Sequence, residues 1–282
     1  VIPVDTTDPG AATPAPRPPW YRTRFGLPLG RELLLIGTGL ALYRWVRWLV
    51  RDDIGEALAN ARQVVSWERA LGIFVEVDLQ RLAVGNDAVV WLLNRYYFLA
   101  HFTVAALLMI WLFVRHYDHY GRVRRVLFLT TFAGLALHVG FPLAPPRWFP
   151  DMGFVDTLQT FGPRIYSSDA VKSAANQIAA MPSLHVGWAL IAAWAVVRFS
   201  SRRRLRFVAV AHPVVTTAGV VLTANHWWLD ALAAVVLVAV AGLVDLPLQR
   251  RLERRRERRL ATETAASAGA GTARPVPAGV RP

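Results

Sequence analysis

Six apolar segments follow one another along this chain of 282 residues, and each is close to the length that a lipid bilayer demands. They lie at 33–50, 88–114, 123–143, 183–199, 207–224 and 228–247. A transmembrane helix needs roughly 20 mostly apolar residues, and 54% of the chain is apolar. We therefore predict an all-α fold, a polytopic membrane helical bundle with about six transmembrane helices. Arg44 and Arg47 interrupt the first segment, which makes its limits the least defined of the six.

Composition also divides the chain into domains. Residues 1–24 are rich in Pro, Ala and Thr, a composition typical of a disordered tail. Residues 25–249 contain all six segments and are predicted to form one membrane-embedded domain. Residues 250–282 begin with a strongly basic helical run and turn at Ala261 to Ala, Gly, Thr and Pro. We expect a basic and then disordered cytoplasmic tail there.

The stretch from Asp52 to Asp87, between the first two segments, has a different pattern. Its apolar residues recur at helical spacing with charges between them: Trp67, Leu71, Phe74, Val75 and Leu79. This pattern is typical of an amphipathic helix that lies at the membrane interface. We interpret it as a structural cap on the bundle rather than as part of a reaction centre.

The net charge of +13 would also fit a nucleic-acid-binding protein. Here, however, the arginines lie mainly beside the apolar segments, which fits loops held against anionic lipid. We therefore expect membrane lipid, and no nucleic acid, as a partner. The chain has no cysteine, which excludes disulfides, thiol catalysis and thiolate metal sites.

The distribution of arginine between the loops predicts the orientation, because cytoplasmic loops carry an excess of Lys and Arg. The turns at 115–125 and 198–206 and the tail after the last segment are strongly basic, whereas the loop at 143–182 and the turn at 223–228 carry few or no cationic residues. We interpret the chain as a multi-pass plasma-membrane protein with both termini in the cytoplasm. The two regions that are poor in arginine then face outward.

Two short polar motifs interrupt the apolar sequence, Pro-Ser-Leu-His at 182–185 and His-Trp-Trp-Leu-Asp at 226–230. Inserting an ionisable side chain into a membrane at the centre of a helix costs roughly 2.5 to 3.5 kcal/mol of free energy. Such residues are therefore rare inside membranes unless they have a function. Both motifs open predicted helices at their outer ends, and Arg147 follows the outer end of another. This convergence predicts a reaction centre that faces outward.

The side chains of these motifs suit phosphoryl transfer. His226 and Asp230 are four residues apart at a helix start, so the carboxylate can fix the tautomer that leaves the other imidazole nitrogen free as a nucleophile. His185 lies beside Ser183 at a second helix start, where backbone N–H groups and the hydroxyl can hold phosphate oxygens while the imidazole protonates a leaving oxygen. Arg147 supplies a fork of donors for phosphate. Together they predict a phosphohistidine intermediate, with no metal and no cofactor required.

These residues resemble the type 2 phosphatidic acid phosphatase superfamily, whose core is a helical bundle with a histidine nucleophile. The motifs at 182–185 and 226–230 match its second and third signature motifs. The wider sequence is similar to the branch that contains inositol phosphorylceramide synthase and its bacterial relatives. That similarity lies in Pro-Leu-Ala-Pro-Pro-Arg at 142–147, Ala-Met-Pro-Ser-Leu-His-Val-Gly-Trp at 180–188, Thr-Ala-Asn-His-Trp-Trp-Leu-Asp at 223–230 and Glu-Arg-Ala-Leu-Gly-Ile-Phe at 68–74. It covers about Trp67 to Val244.

The resemblance implies roles for individual residues. His226 would be the nucleophile, Asp230 its partner and His185 the acid at the leaving group. We assign four further residues of the matching motifs to the substrate site: Pro146, Arg147, Ser183 and Asn225. The implied substrates are a phospholipid, a sphingolipid or a polyprenyl phosphate, with inositol or another alcohol as an acceptor.

The chain departs from the phosphatase pattern at two places. Those enzymes usually carry a Ser-Arg pair upstream of the nucleophilic histidine, where this chain has Gly219 and Val220. They also carry a Lys before the arginine of their first motif, which has no counterpart here. Part of the family's phosphate-binding site is therefore missing, or other residues of this chain take its place. Arg164 or Lys172 on the outer loop is a candidate substrate-binding replacement, and the alternative is that this loop is only a lid.

Two classes of function remain open from the sequence. The favoured one is an enzyme that moves a phosphoryl or phospho-headgroup between a lipid and an acceptor, where transfer to an alcohol and hydrolysis differ only in what attacks the phosphohistidine. The rival is a non-catalytic lipid-binding or transport protein, for which polar residues near the membrane midplane are expected. A His/His/Asp metal site is a further alternative, although a catalytic zinc usually needs three well-placed protein ligands.

The other histidines and tryptophans near these motifs receive structural interpretations. His138 is expected to pack between helices or to support the site from behind, and His101 and His212 are expected to be structural. Four tryptophans are expected to anchor the outer interface, as an aromatic belt does: Trp148, Trp188, Trp227 and Trp228.

Overall fold

The computed structural model describes residues 27–49, 54–161 and 178–272. Within these ranges the chain is helical, apart from short connections and an isolated bridge that pairs Leu143 with Ala179. The helices are α1 (Leu27–Leu49), α2 (Ile54–Ala70), α3 (Glu76–Val84), α4 (Asp87–Arg115), α5 (Tyr117–Gly140), α6 (Thr157–Phe161), α7 (Leu184–Phe199), α8 (Arg203–Leu222) and α9 (Trp228–Thr272). Short 3-10 turns at Pro146–Trp148 and Pro150–Met152 lie between α5 and α6. The all-α prediction is confirmed.

Among the described residues, four helices are long and apolar enough to cross a membrane: Asp87–Arg115, Tyr117–Gly140, Arg203–Leu222 and Trp228–Thr262. They coincide with four of the six predicted segments. α7 coincides with a fifth but has 16 residues, which corresponds to about 24 Å and is shorter than the hydrocarbon core of a bilayer. The helices identify a membrane protein, with four helices of spanning length in the described part of the chain where the sequence predicts about six.

Contacts within the chain separate α1, in one unit, from the helices that begin with α2, in a second. The predicted domain limits stay a prediction. α1 covers most of the first apolar segment but is not among the four long apolar helices. Residues 1–24 lie outside the described residues. α9 continues to Thr272, past Ala261, where composition predicts the disordered tail to begin.

α7 is the centre of the bundle in the second unit, because it packs against α4, α5, α8 and α9. Its buried face contains small side chains: Gly187, Ala189, Ala192, Ala193 and Ala195. Small residues let helix backbones approach closely in a membrane. At the start of α7, Leu184 packs against Gly134 of α5. The longer helices therefore enclose this short one.

The basic turns lie at one end of the bundle. Asp245 of α9 is buried, and its carboxylate accepts a hydrogen bond from Arg125 at 2.6 Å, with Arg122 at 3.4 Å. His119 stacks on Phe199 at the end of α7, with 4.1 Å between ring centroids. The two polar motifs begin α7 and α9 and therefore lie at the other end of these helices.

The stretch predicted as one interfacial helix forms two, α2 and α3, which pack against α4, α8 and α9. Their buried side chains include Ala57, Ala61, Val64, Val65, Glu68 and Glu76. Trp67 and Leu71, from the predicted apolar face, are 44% and 64% exposed. The fully buried positions are thus small residues and two acidic residues, while Phe74 and Leu79 of the predicted apolar face pack against the core at its edge.

The close contact between α5 and α7 yields a stability prediction. A β-carbon at Gly134 would lie 2.7 Å from Leu184 Cδ2, so Gly134→Ala must push the Leu184 side chain away from α5 and should cost about 1 to 3 kcal/mol. Gly140 of the same helix has nothing within 4 Å, and Gly140→Ala should be neutral or slightly stabilising, because Ala favours a helix more than Gly. Thermal unfolding in detergent measures both. Equal Tm values for the two variants would contradict the tight contact.

Candidate active site

Three segments that are far apart in sequence meet at the starts of α7 and α9. The backbone N–H of Arg147 donates to the carbonyl oxygen of Ala224 at 2.9 Å, and the N–H of Ser183 donates to that of Asp230 at 3.1 Å. These bonds join the loop after α5, the segment before α7 and the turn between α8 and α9. All three motifs found in the sequence therefore contribute to one place in the fold.

His226 and Asp230 are buried and in contact with each other. The Nδ1 atom of His226 lies 2.8 Å from the carbonyl oxygen of Ala180 and 3.2 Å from Asp230 Oδ2. A carbonyl oxygen can only accept, so Nδ1 carries the ring proton and donates it. In the neutral ring the other nitrogen, Nε2, is then unprotonated, and it has no hydrogen-bond partner among the described residues. The geometry leaves this lone pair free to react.

Burial keeps the His226 ring neutral. Desolvation lowers the pKa of His226 most strongly, the bond to Ala180 opposes it, and the nearby charge of Arg147 also lowers the pKa, with a net value of about 4. At neutral pH the ring is therefore uncharged. Asp230 Oδ2 also accepts a hydrogen bond from the Trp227 N–H at 2.9 Å, which fixes the carboxylate that orients the ring.

His185 is held by ring stacking. Its ring centroid lies 4.2 Å from that of Tyr97 and 4.3 Å from that of His101. No hydrogen bond reaches the His185 side chain within the described part of the chain, so both ring nitrogens are available to a ligand. The His185 and His226 ring centroids are 5.8 Å apart. A group bound between the two imidazoles would contact both.

Arg147 brings a positive charge to the site. Its Nη1 atom donates to Asn225 Oδ1 at 2.7 Å, and its Nε atom lies 3.9 Å from Asp156 Oδ2. Asn225 is fixed in turn, because its Nδ2 atom donates to Thr223 Oγ1 at 2.7 Å. This chain of bonds holds the guanidinium near His226, whose pKa it helps to lower.

Ser183 and Pro146, the other described residues assigned to the substrate site, have clear local roles. Ser183 is the N-cap of α7, where its Oγ atom accepts from the Val186 N–H at 3.5 Å. Pro146 opens the 3-10 turn that carries Arg147. Both residues are buried. They shape the backbone on which His185 and Arg147 are presented.

The position where the phosphatases carry their Ser-Arg pair is filled by backbone and apolar groups. Gly219 and Val220 lie in the last turn of α8, and the Val220 carbonyl accepts a hydrogen bond from the His226 N–H at 3.1 Å. This segment therefore supports the His226 turn through its backbone. Arg164 and Lys172, the candidate replacements, lie outside the described residues.

Sequence reasoning missed two acidic residues of the site. Glu76 Oε1 accepts from the Trp228 N–H at 3.2 Å, and Glu68 Oε1 accepts from the Leu229 N–H at 2.9 Å. Both residues are fully buried. Burial, with the adjacent Glu76 carboxyl, raises the pKa of Glu68 well above its usual range, so Glu68 carries a proton at neutral pH. The signal that pointed to it was the Glu-Arg-Ala-Leu-Gly-Ile-Phe motif at 68–74.

Two histidines support the start of α7. His101, expected to be only structural, stacks between His185 and Trp188, with 4.1 Å between the His101 and Trp188 centroids. His138 Nε2 donates to the carbonyl oxygen of Pro182 at 3.0 Å. His138 therefore supports the motif from behind, whereas His101 adjoins the proposed acid directly.

Trp227 belongs to the core beneath the site. It is fully buried, its Nε1 atom donates to the Ala144 carbonyl at 3.0 Å, and its ring meets Phe149 and Phe154 edge to face at 5.8 and 5.6 Å. The prediction that Trp227 anchors the outer interface is wrong, because the turn before α9 packs inward against the loop that follows α5.

Residues 62–244 match the family model of the PAP2 superfamily. This chain belongs to that superfamily. No curated protein and no solved structure matches the chain. The match spans the residues of the candidate site from Glu68 to Asp230. It identifies a membrane enzyme of the lipid phosphatase or phosphotransferase class. In the part of this PAP2 protein that the structure describes, no three His, Asp or Glu side chains are arranged to hold a metal ion.

The geometry of the PAP2 site predicts the protonation state of His226. Because its pKa is about 4 and Nδ1 faces a carbonyl oxygen, the ring should stay neutral, with the proton on Nδ1, as pH falls from neutral until it approaches about 4. Nitrogen-15 NMR of histidine-labelled protein in detergent measures this. The variant His226→Gln identifies the signal by removing it. A protonated Nε2 at neutral pH would contradict the tautomer.

Proposed function

We propose that this PAP2 protein transfers a phospho-headgroup from a membrane lipid to an acceptor through a phosphohistidine intermediate. The observation that carries the proposal is the pair of acceptors on His226 Nδ1, Ala180 and Asp230, which leaves Nε2 with its lone pair. Asp230 orients the ring and balances the positive charge that develops when Nε2 forms a bond. His226 is thus the nucleophile and Asp230 its partner.

The reaction has two steps. In the first, His226 Nε2 forms a bond to phosphorus, the bond between phosphorus and the lipid oxygen breaks, and His185 gives a proton to the departing alcohol. In the second, the acceptor hydroxyl attacks phosphorus, His185 takes its proton, and the bond to His226 breaks. The distance of 5.8 Å between the two ring centroids supports this division of roles, since a phosphorus atom and its leaving oxygen would lie between the rings.

Arg147 is the proposed phosphate clamp. A guanidinium group presents its donors in a planar fork that matches phosphate oxygens, and the bond to Asn225 fixes the orientation of this fork. Because Gly219 and Val220 stand where phosphatases have a Ser-Arg pair, we infer that Arg147 and Asn225 together supply the missing part of the cradle. Arg164 and Lys172 remain proposed additional contacts from the outer loop.

The acceptor separates transfer from hydrolysis. We favour transfer to an alcohol, because the motifs resemble the inositol phosphorylceramide synthase-like branch, and the burial of His226 and Asp230 supports this choice because it limits the access of water. Hydrolysis of a lipid or polyprenyl phosphate is the second candidate, since water can attack the same intermediate. The basic turns at the opposite end of the bundle support a site that faces outward from the plasma membrane.

A product assay tests the proposed reaction. Purified protein in detergent is given phospholipids or a polyprenyl phosphate, with and without inositol and with and without EDTA, and both free phosphate and new lipid products are measured. We expect a product that requires the alcohol and survives EDTA, because His226, His185 and Arg147 act without a metal. Free phosphate as the sole product would favour hydrolysis, and activity restored by zinc after EDTA would contradict the metal-free mechanism.

Substitution of the two histidines tests their roles. His226→Ala should abolish both turnover and the acid-labile phosphoenzyme, whereas His185→Ala should slow the first step and be partly rescued by a donor whose leaving group needs no proton. Asp230→Asn should fall between them and cost about 10²- to 10⁴-fold. Labelled phosphate retained on the protein under alkaline conditions measures the intermediate.

The control for these variants is His119→Ala, because His119 stacks on Phe199 at the other end of α7. It should leave turnover and the phosphoenzyme unchanged. The assignment would be reversed by a phosphoenzyme that forms in His226→Ala but not in His185→Ala.

A further inference from the structure

A pocket beside His185 extends between α4, α7 and α8. Most of its wall is apolar or aromatic, as expected inside a membrane bundle. Its lining includes His185 itself together with Tyr97 and His101, the two rings that stack on His185. Any group that occupies this pocket therefore adjoins the proposed acid of the reaction.

Three polar side chains lie together on the wall of this pocket. The hydroxyl group of Tyr96 is hydrogen-bonded to His212 Nδ1 and lies 2.9 Å from Thr216 Oγ1. Thr216 Oγ1 donates to the carbonyl oxygen of His212 at 2.8 Å. The second ring nitrogen of His212, Nε2, has no hydrogen-bond partner among the described residues. We call these three residues the Tyr96 cluster.

The depth of the Tyr96 cluster relates it to the reacting groups. The Val220 carbonyl accepts a hydrogen bond from the His226 N–H, and Thr216 and His212 lie one and two turns back toward the start of α8. At 1.5 Å per residue these positions are about 6 and 12 Å deeper than Val220. A membrane lipid carries its ester or amide groups just below its phosphate, so such a group would reach this part of the pocket.

We propose that the pocket binds the departing lipid alcohol and that the Tyr96 cluster recognises a hydrogen-bonding group next to its phosphate. Such a group is an ester carbonyl in a glycerophospholipid and an amide or hydroxyl in a sphingolipid. A polyprenyl phosphate has none, so the cluster selects acyl-chain lipids as donors. The inference rests on the proposed function, because the leaving group is placed beside His185 by its role as the acid.

Polar clusters between membrane helices also act as packing contacts, and here the cluster joins α4 to α8. Two observations favour recognition of a ligand. His212 Nε2 has no protein partner in the described part of the chain, and all three residues line the same pocket as His185. Ionisable side chains inside a membrane are costly and typically mark a substrate path.

The test compares donors in one preparation. The variants Tyr96→Phe and Thr216→Val each remove one hydroxyl with little change in shape, and kcat/KM is measured for phosphatidate, ceramide 1-phosphate and a polyprenyl phosphate. The control is Thr217→Val, because the Thr217 hydroxyl bonds to Pro213 within α8 at 2.8 Å and does not line the pocket. The ratio of the kcat/KM values for two donors does not depend on the fraction of the protein that is folded.

We expect both variants to lower kcat/KM for one or both acyl-chain donors by about 5-fold to 10-fold, the effect of one lost hydrogen bond, and to leave the polyprenyl phosphate unchanged. Loss for phosphatidate alone or for ceramide 1-phosphate alone identifies the donor class. An equal loss for all three donors, no loss for any of them, or the same loss in Thr217→Val, would overturn the inference while leaving the phosphotransfer proposal intact. Wild-type protein that turns over none of these three donors would overturn this inference, and the additional absence of any product in the phospholipid assay would overturn the proposed function.

Discussion

The buried start of α9 is the feature on which the site depends. Three successive backbone N–H groups there donate to three carboxyl groups: Trp227 to Asp230, Trp228 to Glu76 and Leu229 to Glu68. A buried donor without a partner costs about 1 to 3 kcal/mol, and the first turn of every helix has such donors. Because Asp230 bonds to both this backbone and His226 Nδ1, one carboxylate determines the start of the helix and the orientation of the reactive ring.

That arrangement explains why α2 and α3 belong to the functional domain. Glu68 and Glu76 come from these two helices, and each has one buried oxygen without a partner in the described residues. Three ionised carboxyl groups at so small a separation would repel one another. The raised pKa of Glu68 relieves this repulsion, because a protonated carboxyl adds no negative charge. The small buried residues of α2, such as Ala57 and Ala61, let this helix pack close enough to the bundle for Glu68 to reach the start of α9.

The parts of this structure that follow from sequence are those set by nearby residues. Apolar runs of spanning length predict the long helices, and the spacing of four residues at a helix start predicts the contact between His226 and Asp230. Glu68 lies 161 residues before its partner Leu229, and within its own segment it has the pattern of a charged residue that faces water. Tyr97 and His101 lie in an apolar run, where an aromatic side chain is as well suited to lipid as to a site. Their positions depend on helix packing, which residue spacing does not encode.

The carboxyl groups at α9 also restrict where a phosphate can bind. Helix N-termini commonly hold phosphate through free backbone N–H groups, but those of α9 are occupied by Glu68, Glu76 and Asp230. α7 differs, because the N–H groups of Leu184 and His185 have no partner among the described residues. We therefore expect the phosphate to lie at the start of α7 under the Arg147 guanidinium. In the proposed mechanism its phosphorus atom would then face His226 Nε2 and its lipid oxygen would face His185, the in-line arrangement that a displacement at phosphorus requires.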